Sequence, residues 1–258
     1  MAALVTGAAK RLGRAMALAL AEAGHDVAVH YAGSEAEAEE TAAAIRKIGR
    51  KAVTLKADLL DEAETQALLP RASEALGQPI TVLVNNASIF EYDNIDSMTR
   101  ESWDRHIESN LRAPVVLTQA LAAQAPKAIA DADGEPQAQA LVVNMVDQRV
   151  NKLTPEFMSY TIAKMGLWAF TRTAAQALAP HVRVNAIGPG PTMQGARQSD
   201  AHFARQRQAT VLQRGSDPEG IVEALLFFLR ARAVTGQLIC VDGGQHLAWQ
   251  TPDILGVE

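Results

Sequence analysis

The sequence predicts an α/β protein whose parallel sheet is covered by helices on both faces. Two observations carry that prediction. Short β-rich runs alternate with longer runs of helical periodicity along the chain, the pattern of parallel strands joined by helical crossovers. The β-rich runs are also continuously apolar, as strands buried on both faces must be.

Each element has its own local reason. The first strand is Ala2–Thr6, and a Gly-containing turn leads into a helix over Arg11–Ala23. "AEAG" stops that helix on a glycine before the strand Asp26–His30, and "KIG" does the same for the helix Glu35–Ile48. Strands follow at Ala52–Lys56, Val82–Asn85, Ala140–Asn144, Val182–Ala186 and Gln237–Val241. Helical patterns fall between them at Glu62–Leu76, Arg100–Ala123, Pro155–Leu178 and Pro218–Arg230. "APKAIADADGEPQAQA", 125–140, reads as a surface loop. No linker or repeat divides the chain, so one domain is expected over 1–258. The segment 188–208 starts Gly- and Pro-rich and turns polar. It reads either as a flap over a site, at about 190–212, or as a plain surface excursion.

Bulk properties narrow the function classes. The chain has 258 residues, 48% apolar and 21% charged, ordinary for a globular protein with a sizeable core. A net charge of -5 disfavours nucleic acid and anionic membranes as partners. A single cysteine excludes an intrachain disulfide and a cysteine zinc cluster, and no metal site is expected. No run reaches the ~18 apolar residues of a membrane span. The N-terminal apolar run precedes Lys10 and Arg11, the reverse of a signal peptide. A cytoplasmic location is the expectation.

The first strand, turn and helix suit a pyrophosphate, because a helix start offers free N–H groups and a positive dipole end. Gly7 permits the tight turn and Gly13 a close backbone approach, while Arg11 stands where the usual fingerprint has its middle glycine. A turn between strand and helix also often needs glycine for its own sake. An NAD site commonly carries an acid ~20 residues after the glycines, on the ribose 2′-hydroxyl. Here the second strand ends in His30 and Tyr31, then Ser34, with no acid before Glu35. That absence, with Arg11 and Lys10 nearby, favours NADP(H). His30 is alternatively a mere strand end.

"TGAAKRLG" (6–13), "ADL" (57–59), "NNAS" (85–88), "SNLRAP" (109–114), "YTIAK" (160–164), "RVNAIGPG" (183–190) and "VTGQLICVDGG" (234–244) lie in order along the chain. Together they resemble the short-chain dehydrogenase/reductase family over essentially its full length. Within it, "TGAAKRLG", His30, Tyr31, Ser34, Phe90 and "NMVD" look like the pteridine reductases. The resemblance implies a single-domain Rossmann fold, a doubly wound seven-stranded parallel sheet, and a homotetramer. It implies that Gly7, Arg11, Leu12 and Gly13 hold cofactor phosphates and that Asp58 and Leu59 flank the adenine. Asn86, Ala87 and Ser88 would line ribose and nicotinamide, and Pro189 and Gly190 would bound the nicotinamide face. Ser109 and Asn110 would support the cofactor and a water, and Phe90 would stack on a flat heterocycle. Pteridine reductases often carry a basic residue where this chain has Gly33.

The reacting groups are expected at Asp147, Tyr160 and Lys164. Tyr160 and Lys164 are spaced i, i+4 and share a helix face. An ammonium beside a phenol of pKa ~10 makes it a better proton donor, so Lys164 is expected to tune Tyr160 as well as to reach the ribose. An exposed Tyr–Lys pair on an ordinary helix is the bland alternative. Asp147 ends an apolar strand where the family normally has Ser. A carboxylate only accepts hydrogen bonds and repels an oxyanion. It therefore suits a substrate rich in N–H donors, such as a pterin, with Arg11, Ser88, Phe90, Asp147 and Tyr160 around it; the alternative is a solvated turn residue. His25, His106, His181, His202 and His246 show no ligand spacing and are expected in ordinary surface roles. Trp168 and Phe170 are expected in the core or a subunit interface. The expected activity is NADPH-dependent reduction of a pteridine C=N bond. Reduction of another carbonyl or imine compound, or a silent NADP-binding sensor, are the alternatives.

Overall fold

The computed structural model describes residues 1–195 and 198–251. Two residues of the expected flap, Ala196 and Arg197, lie outside the described residues, as does the chain after 251. The elements run β1 (Ala2–Val5), α1 (Arg11–Glu22), β2 (Asp26–Tyr31), α2 (Glu35–Lys47), β3 (Ala52–Lys56), α3 (Glu62–Leu76) and β4 (Ile80–Asn85). Then come α4 (Arg100–Ile107), a π-helical segment Glu108–Arg112, α5 (Ala113–Gln124), a small hairpin of β5 (Ile129–Ala130) and β6 (Pro136–Gln137), and β7 (Ala140–Met145). The chain ends with α6 (Met158–Leu178), β8 (Val182–Pro189), α7 (Asp200–Gln208), α8 (Pro218–Arg230) and β9 (Leu238–Val241).

Seven strands form one sheet in the order β3-β2-β1-β4-β7-β8-β9. Every pairing in it is parallel. The expected α/β Rossmann fold with a doubly wound, seven-stranded parallel sheet is the fold observed. Alternate strand residues feed two cores. Val5, Val29, Val84 and Val143 pack under α1, α2 and α8 with Met16, Ile45 and Phe228. Leu4, Ala28, Leu83 and Val142 pack on the other face with Leu68, Leu117 and Leu121 of α3 and α5. Phe228 is fully buried, and truncating such a side chain to Ala costs roughly 3–5 kcal/mol.

The sheet order reverses between β1 and β4, so a crevice opens beyond their carboxyl ends, where an open α/β sheet places its ligands. Two expectations need correction. The helix expected from Pro155 begins at Met158, because Phe157 takes a left-handed φ of 55° and Asp93 holds the first free N–H groups. The helix expected over Arg100–Ala123 carries the π-helical insertion at Glu108–Arg112. The expected flap contains α7, capped by the Ser199 side chain on the His202 N–H. Among the described residues, no helix is long and apolar enough to cross a membrane.

Candidate active site

The crevice is a cleft of about 460 Å³ lined by Gly7, Lys10, Arg11, Leu12, Gly13, Asn86, Ala87, Ser88, Pro189, Gly190, Thr192 and Met193. Sequence expectation and geometry converge here on the glycine turn, the β4 end and the β8 end. Its floor is closely packed. A Cβ at Gly13 would stand 2.2 Å from the Gly7 carbonyl oxygen and 2.7 Å from Asn86 Nδ2, so no side chain fits there. Asn86 donates to the Thr6 carbonyl at 2.8 Å, and the Thr6 hydroxyl accepts from the N–H groups of Asn86 and Ala87 at 2.9 Å each. The turns after β1 and β4 are thereby tied into one wall.

Arg11 sits at φ 55°, a conformation glycine adopts more readily, which explains why a glycine is usual there. Its guanidinium crosses the cleft and donates to the carbonyls of Gln194 at 2.9 Å and Met193 at 3.2 Å. The arginine expected at a phosphate therefore also ties the start of the expected flap to the glycine turn.

His30 corrects the expectation. It lies beneath the turn, 2% exposed, and not on the cleft surface. Its Nδ1 accepts from the Gly7 N–H at 3.0 Å, so its proton sits on Nε2, which donates to the Ala57 carbonyl at 3.1 Å. Burial lowers its pKa to about 4, so the ring is neutral near pH 7 and offers no cation to a 2′-phosphate. Tyr31, Ser34, Asp58 and Leu59 do not line this cleft either. Tyr31 is buried, Ser34 stands at the N-cap position of α2, and the Asp58 carboxylate accepts from the Leu60 N–H at 3.0 Å. Lys10 lies 3.7 Å from Glu37 in an exposed pair.

At the other end, the structure brings Asp147, Tyr160 and Lys164 together. The Tyr160 hydroxyl donates to an Asp147 carboxylate oxygen at 2.9 Å. The other Asp147 oxygen accepts from the Arg149 N–H at 2.8 Å, starting a short helical turn. Lys164 donates to the Met145 carbonyl at 2.8 Å and stands 5.6 Å from the centre of the Tyr160 ring. Phe90, 46% exposed, stacks on Phe157 at 4.3 Å and meets Tyr160 edge-on at 4.7 Å. Asn110 lies in the π-helical segment with Ser109 and is fully buried. Its amide grips the backbone of Ile89 twice, accepting at 2.9 Å and donating at 2.8 Å, and so pins the loop that carries Phe90.

Sequence reasoning missed three contributors. Asn144 accepts from Asn85 at 2.8 Å and donates to Thr171 at 2.9 Å, locking β4, β7 and α6 together. An asparagine inside an apolar strand was the available signal. Asp93 and Ser159 are buried beside Tyr160, with His106. His106, expected at the surface, is fully enclosed, and His25 is buried too; both sit in helix or turn segments whose pattern hid this. His246 is held by Asp242 at 2.7 Å.

A family model described as enoyl-(acyl carrier protein) reductase matches residues 7–246. The chain is 30% identical over 251 residues to the 3-oxoacyl-[acyl-carrier-protein] reductase FabG of Staphylococcus epidermidis, covering 95% of this chain and 98% of that protein. The chain belongs to the short-chain dehydrogenase/reductase family. Two solved structures are more alike. FolM alternative dihydrofolate reductase 1 from Brucella suis, in complex with NADP, superposes with a TM-score of 0.90 at 43% identity, covering 98% of each chain. The protein of the same name from Brucella canis, complexed with NADP, gives 0.89 at 44%, covering 98% of this chain and 96% of that one.

The electrostatics of this short-chain dehydrogenase/reductase correct one expectation. Tyr160 is pushed well above the usual tyrosine range, first by burial and then by the Asp147 charge beside it. Burial and Asp147 outweigh the Lys164 ammonium 5.6 Å from the ring. Burial lowers the Lys164 pKa to about 8, partly opposed by Asp147. Burial also raises Asp147, against the Arg149 N–H and the Tyr160 hydroxyl, which favour its charged form. The result is a phenol that keeps its proton and shares it with a carboxylate of raised basicity. Such a pair can hold a proton and pass it to a basic atom placed between them. Asp147, Tyr160 and Lys164 do not line the cleft themselves, but Tyr160 neighbours Ser88, which does.

Proposed function

We propose that this oxidoreductase reduces a C=N bond of a pteridine at the expense of NADPH. The observation that carries the reading is the Tyr160 hydroxyl donating to the Asp147 carboxylate at 2.9 Å. A carboxylate at this point accepts N–H donors and opposes a developing oxyanion, which suits an amino-substituted nitrogen heterocycle better than a ketone.

The residues fit the cofactor. A cleft closed to side chains at Gly7 and Gly13 leaves room for a backbone-cradled diphosphate at the start of α1. Gly7, Arg11, Leu12 and Gly13 hold its phosphates. Asn86, Ala87 and Ser88 line its ribose and nicotinamide, Pro189 and Gly190 bound the nicotinamide face, and Lys164 reaches its ribose. Tyr31, Ser34, Asp58 and Leu59 serve the adenosine end. The FolM proteins solved with NADP support this choice. When bound, NADPH supplies the hydride. The chain does the rest: Asp147 orients the heterocycle through its N–H groups, and the Tyr160–Asp147 pair delivers a proton to a ring nitrogen. The heterocycle lies against the Phe90–Phe157 pair, and Gly190, Thr192 and Met193 of the expected flap border the cleft beside it. The working unit is a homotetramer in the cytoplasm.

The FabG relative favours a second reading, reduction of a keto group. A cofactor-binding sensor without turnover is a third, and the burial of both Tyr160 and Lys164 beside the cleft speaks against it. The test follows loss of NADPH absorbance with dihydropterins, folates and simple ketones. Turnover of pterins or folates and not ketones is expected. Turnover of ketones alone overturns the reading in favour of the second, and NADPH binding without turnover of any class favours the third.

A further inference from the structure

Beside Tyr160 a buried hydrogen-bond chain crosses from the substrate loop to the catalytic helix. The Glu91 backbone N–H donates to His106 Nε2 at 3.1 Å. His106 Nδ1 lies 2.7 Å from the Ser159 hydroxyl, and that hydroxyl donates to an Asp93 carboxylate oxygen. The polarity is forced. An N–H cannot accept, so Nε2 carries the lone pair and the neutral ring holds its proton on Nδ1. Nδ1–H then points at Ser159 Oγ, whose own hydrogen is left for Asp93. Asp93 is held on every side: it accepts from the Ser159 N–H at 3.1 Å and the Ser102 hydroxyl at 3.1 Å, and its carbonyl accepts from the Met158 N–H at 3.3 Å. His106 and Ser159 are fully enclosed, and Asp93 is 1% exposed. A hydrolytic serine triad is excluded, because this histidine faces the hydroxyl with an N–H and the serine is closed to any substrate.

The ends of the chain decide its meaning. Glu91 follows Phe90, and Ser159 precedes Tyr160. We propose that Asp93 is a positioning residue for the reaction at Tyr160, acting through Ser159 and His106: it anchors the Ser159 N–H and hydroxyl, leaves the Ser159 oxygen to accept from His106, and so holds the Phe90 loop and the Tyr160 helix at one spacing. This rests on the reading that Tyr160 handles the proton. The groups facing His106 are Asp93 and Glu91, which favour its protonation, Arg105, which opposes it, and the Tyr160 ring at 6.0 Å. Burial outweighs them and keeps the ring neutral at pH values where a free histidine would begin to charge.

The test is 15N NMR of the full-length, NADPH-loaded protein labelled at histidine, with the His106 signal assigned by its loss in His106→Gln. Wild type should show a protonated Nδ1 and a bare Nε2. Asp93→Asn presents an amide where two acceptors are needed and so loosens the Ser159 anchor, while the Glu91 N–H keeps Nε2 bare and the ring proton on Nδ1. Turnover should then fall on the order of 10- to 100-fold, the scale of a misplaced reacting group, with a raised substrate KM and unchanged NADPH affinity. Ser159→Ala breaks the same chain and should match it in turnover. A wild-type His106 protonated on Nε2 overturns the proposal, as does wild-type turnover in either variant once folded. If Asp93→Asn does not fold, the wild-type tautomer and Ser159→Ala decide alone. Tyr160→Phe separates the two readings: it should abolish turnover with the His106 tautomer intact, and if it leaves turnover unchanged the reading of Tyr160 fails, whereas the tautomer is read without any substrate.

Discussion

Acidification should destabilise this protein through His30. The ring is 2% exposed and its Nδ1 must stay bare to accept the Gly7 N–H. Burial lowers its pKa from 6.5 to about 4, with the Arg71 charge adding to the effect and the Ala57 carbonyl and Asp58 opposing it. Above pH 6.5 both folded and unfolded chains hold the ring neutral. Between 6.5 and 4 the unfolded chain takes up a proton that the folded chain refuses, so stability falls steadily as pH drops through that window. At about 1.4 kcal/mol per pKa unit, the shift corresponds to roughly 3 kcal/mol, a large part of a typical total of about 5–15. His25 and His106 are also lowered by burial and act in the same direction, so wild type alone does not isolate the effect. His30→Asn does. Its side-chain oxygen can take the place of Nδ1 and it does not titrate. Urea unfolding followed by tryptophan fluorescence, at steps from neutral pH to pH 4, should show wild type losing about 3 kcal/mol more than His30→Asn. Parallel curves for the two proteins would refute the reasoning.

Asp147→Asn keeps the size of the side chain but not its proton exchange, and should cut pterin reduction by roughly 10²–10⁴ while NADPH affinity barely changes; wild-type rates would make Asp147 a turn residue only. Arg11→Gly relieves the positive φ yet removes the guanidinium, and should weaken NADPH binding by ~1–3 kcal/mol with NADH nearly untouched. Equal dissociation constants of wild type for NADPH and NADH would count against that cofactor preference. On α6, Ile162 and Met165 are exposed large apolar side chains, and the helix should pair with its copy in a symmetric assembly. Sedimentation at micromolar concentration should show an oligomer, and a monomer would exclude it.

How much of this was legible depended on whether the signal was local. Strand and helix positions came from runs of a few residues, and the ends of α3 and α8 fall where the sequence placed them. Tyr160 and Lys164 were legible because one helical turn spaces them. His30 was misjudged because its partners, Gly7 and Ala57, lie 23 and 27 residues away, and strand periodicity does not say which buried polar group meets which. The dominance of burial and Asp147 over Lys164 at Tyr160 was hidden for a related reason. The spacing puts the two side chains on one face, but the Met145 carbonyl that claims the ammonium comes from β7. Asp93 is 66 residues from Ser159, and nothing near either one announces the pairing.

The extra residue in the helix at Glu108–Arg112 has a consequence for what this chain can tolerate. A residue advances an α-helix by about 100°, so an insertion acts as a change of phase. Before it, α4 turns His106 toward Ser159 on α6. After it, α5 turns Leu117 and Leu121 into the sheet. Leu111, inside the insertion, presses on Gly166 so closely that a Cβ there would lie 2.8 Å from its Cδ2. A helix of uniform period could satisfy one of these two partners and not both. Removing a single residue from 108–112 would therefore turn one of these contacts out of phase with the other. It would force a choice between the packing of α5 on the sheet and the contact of α4 with α6.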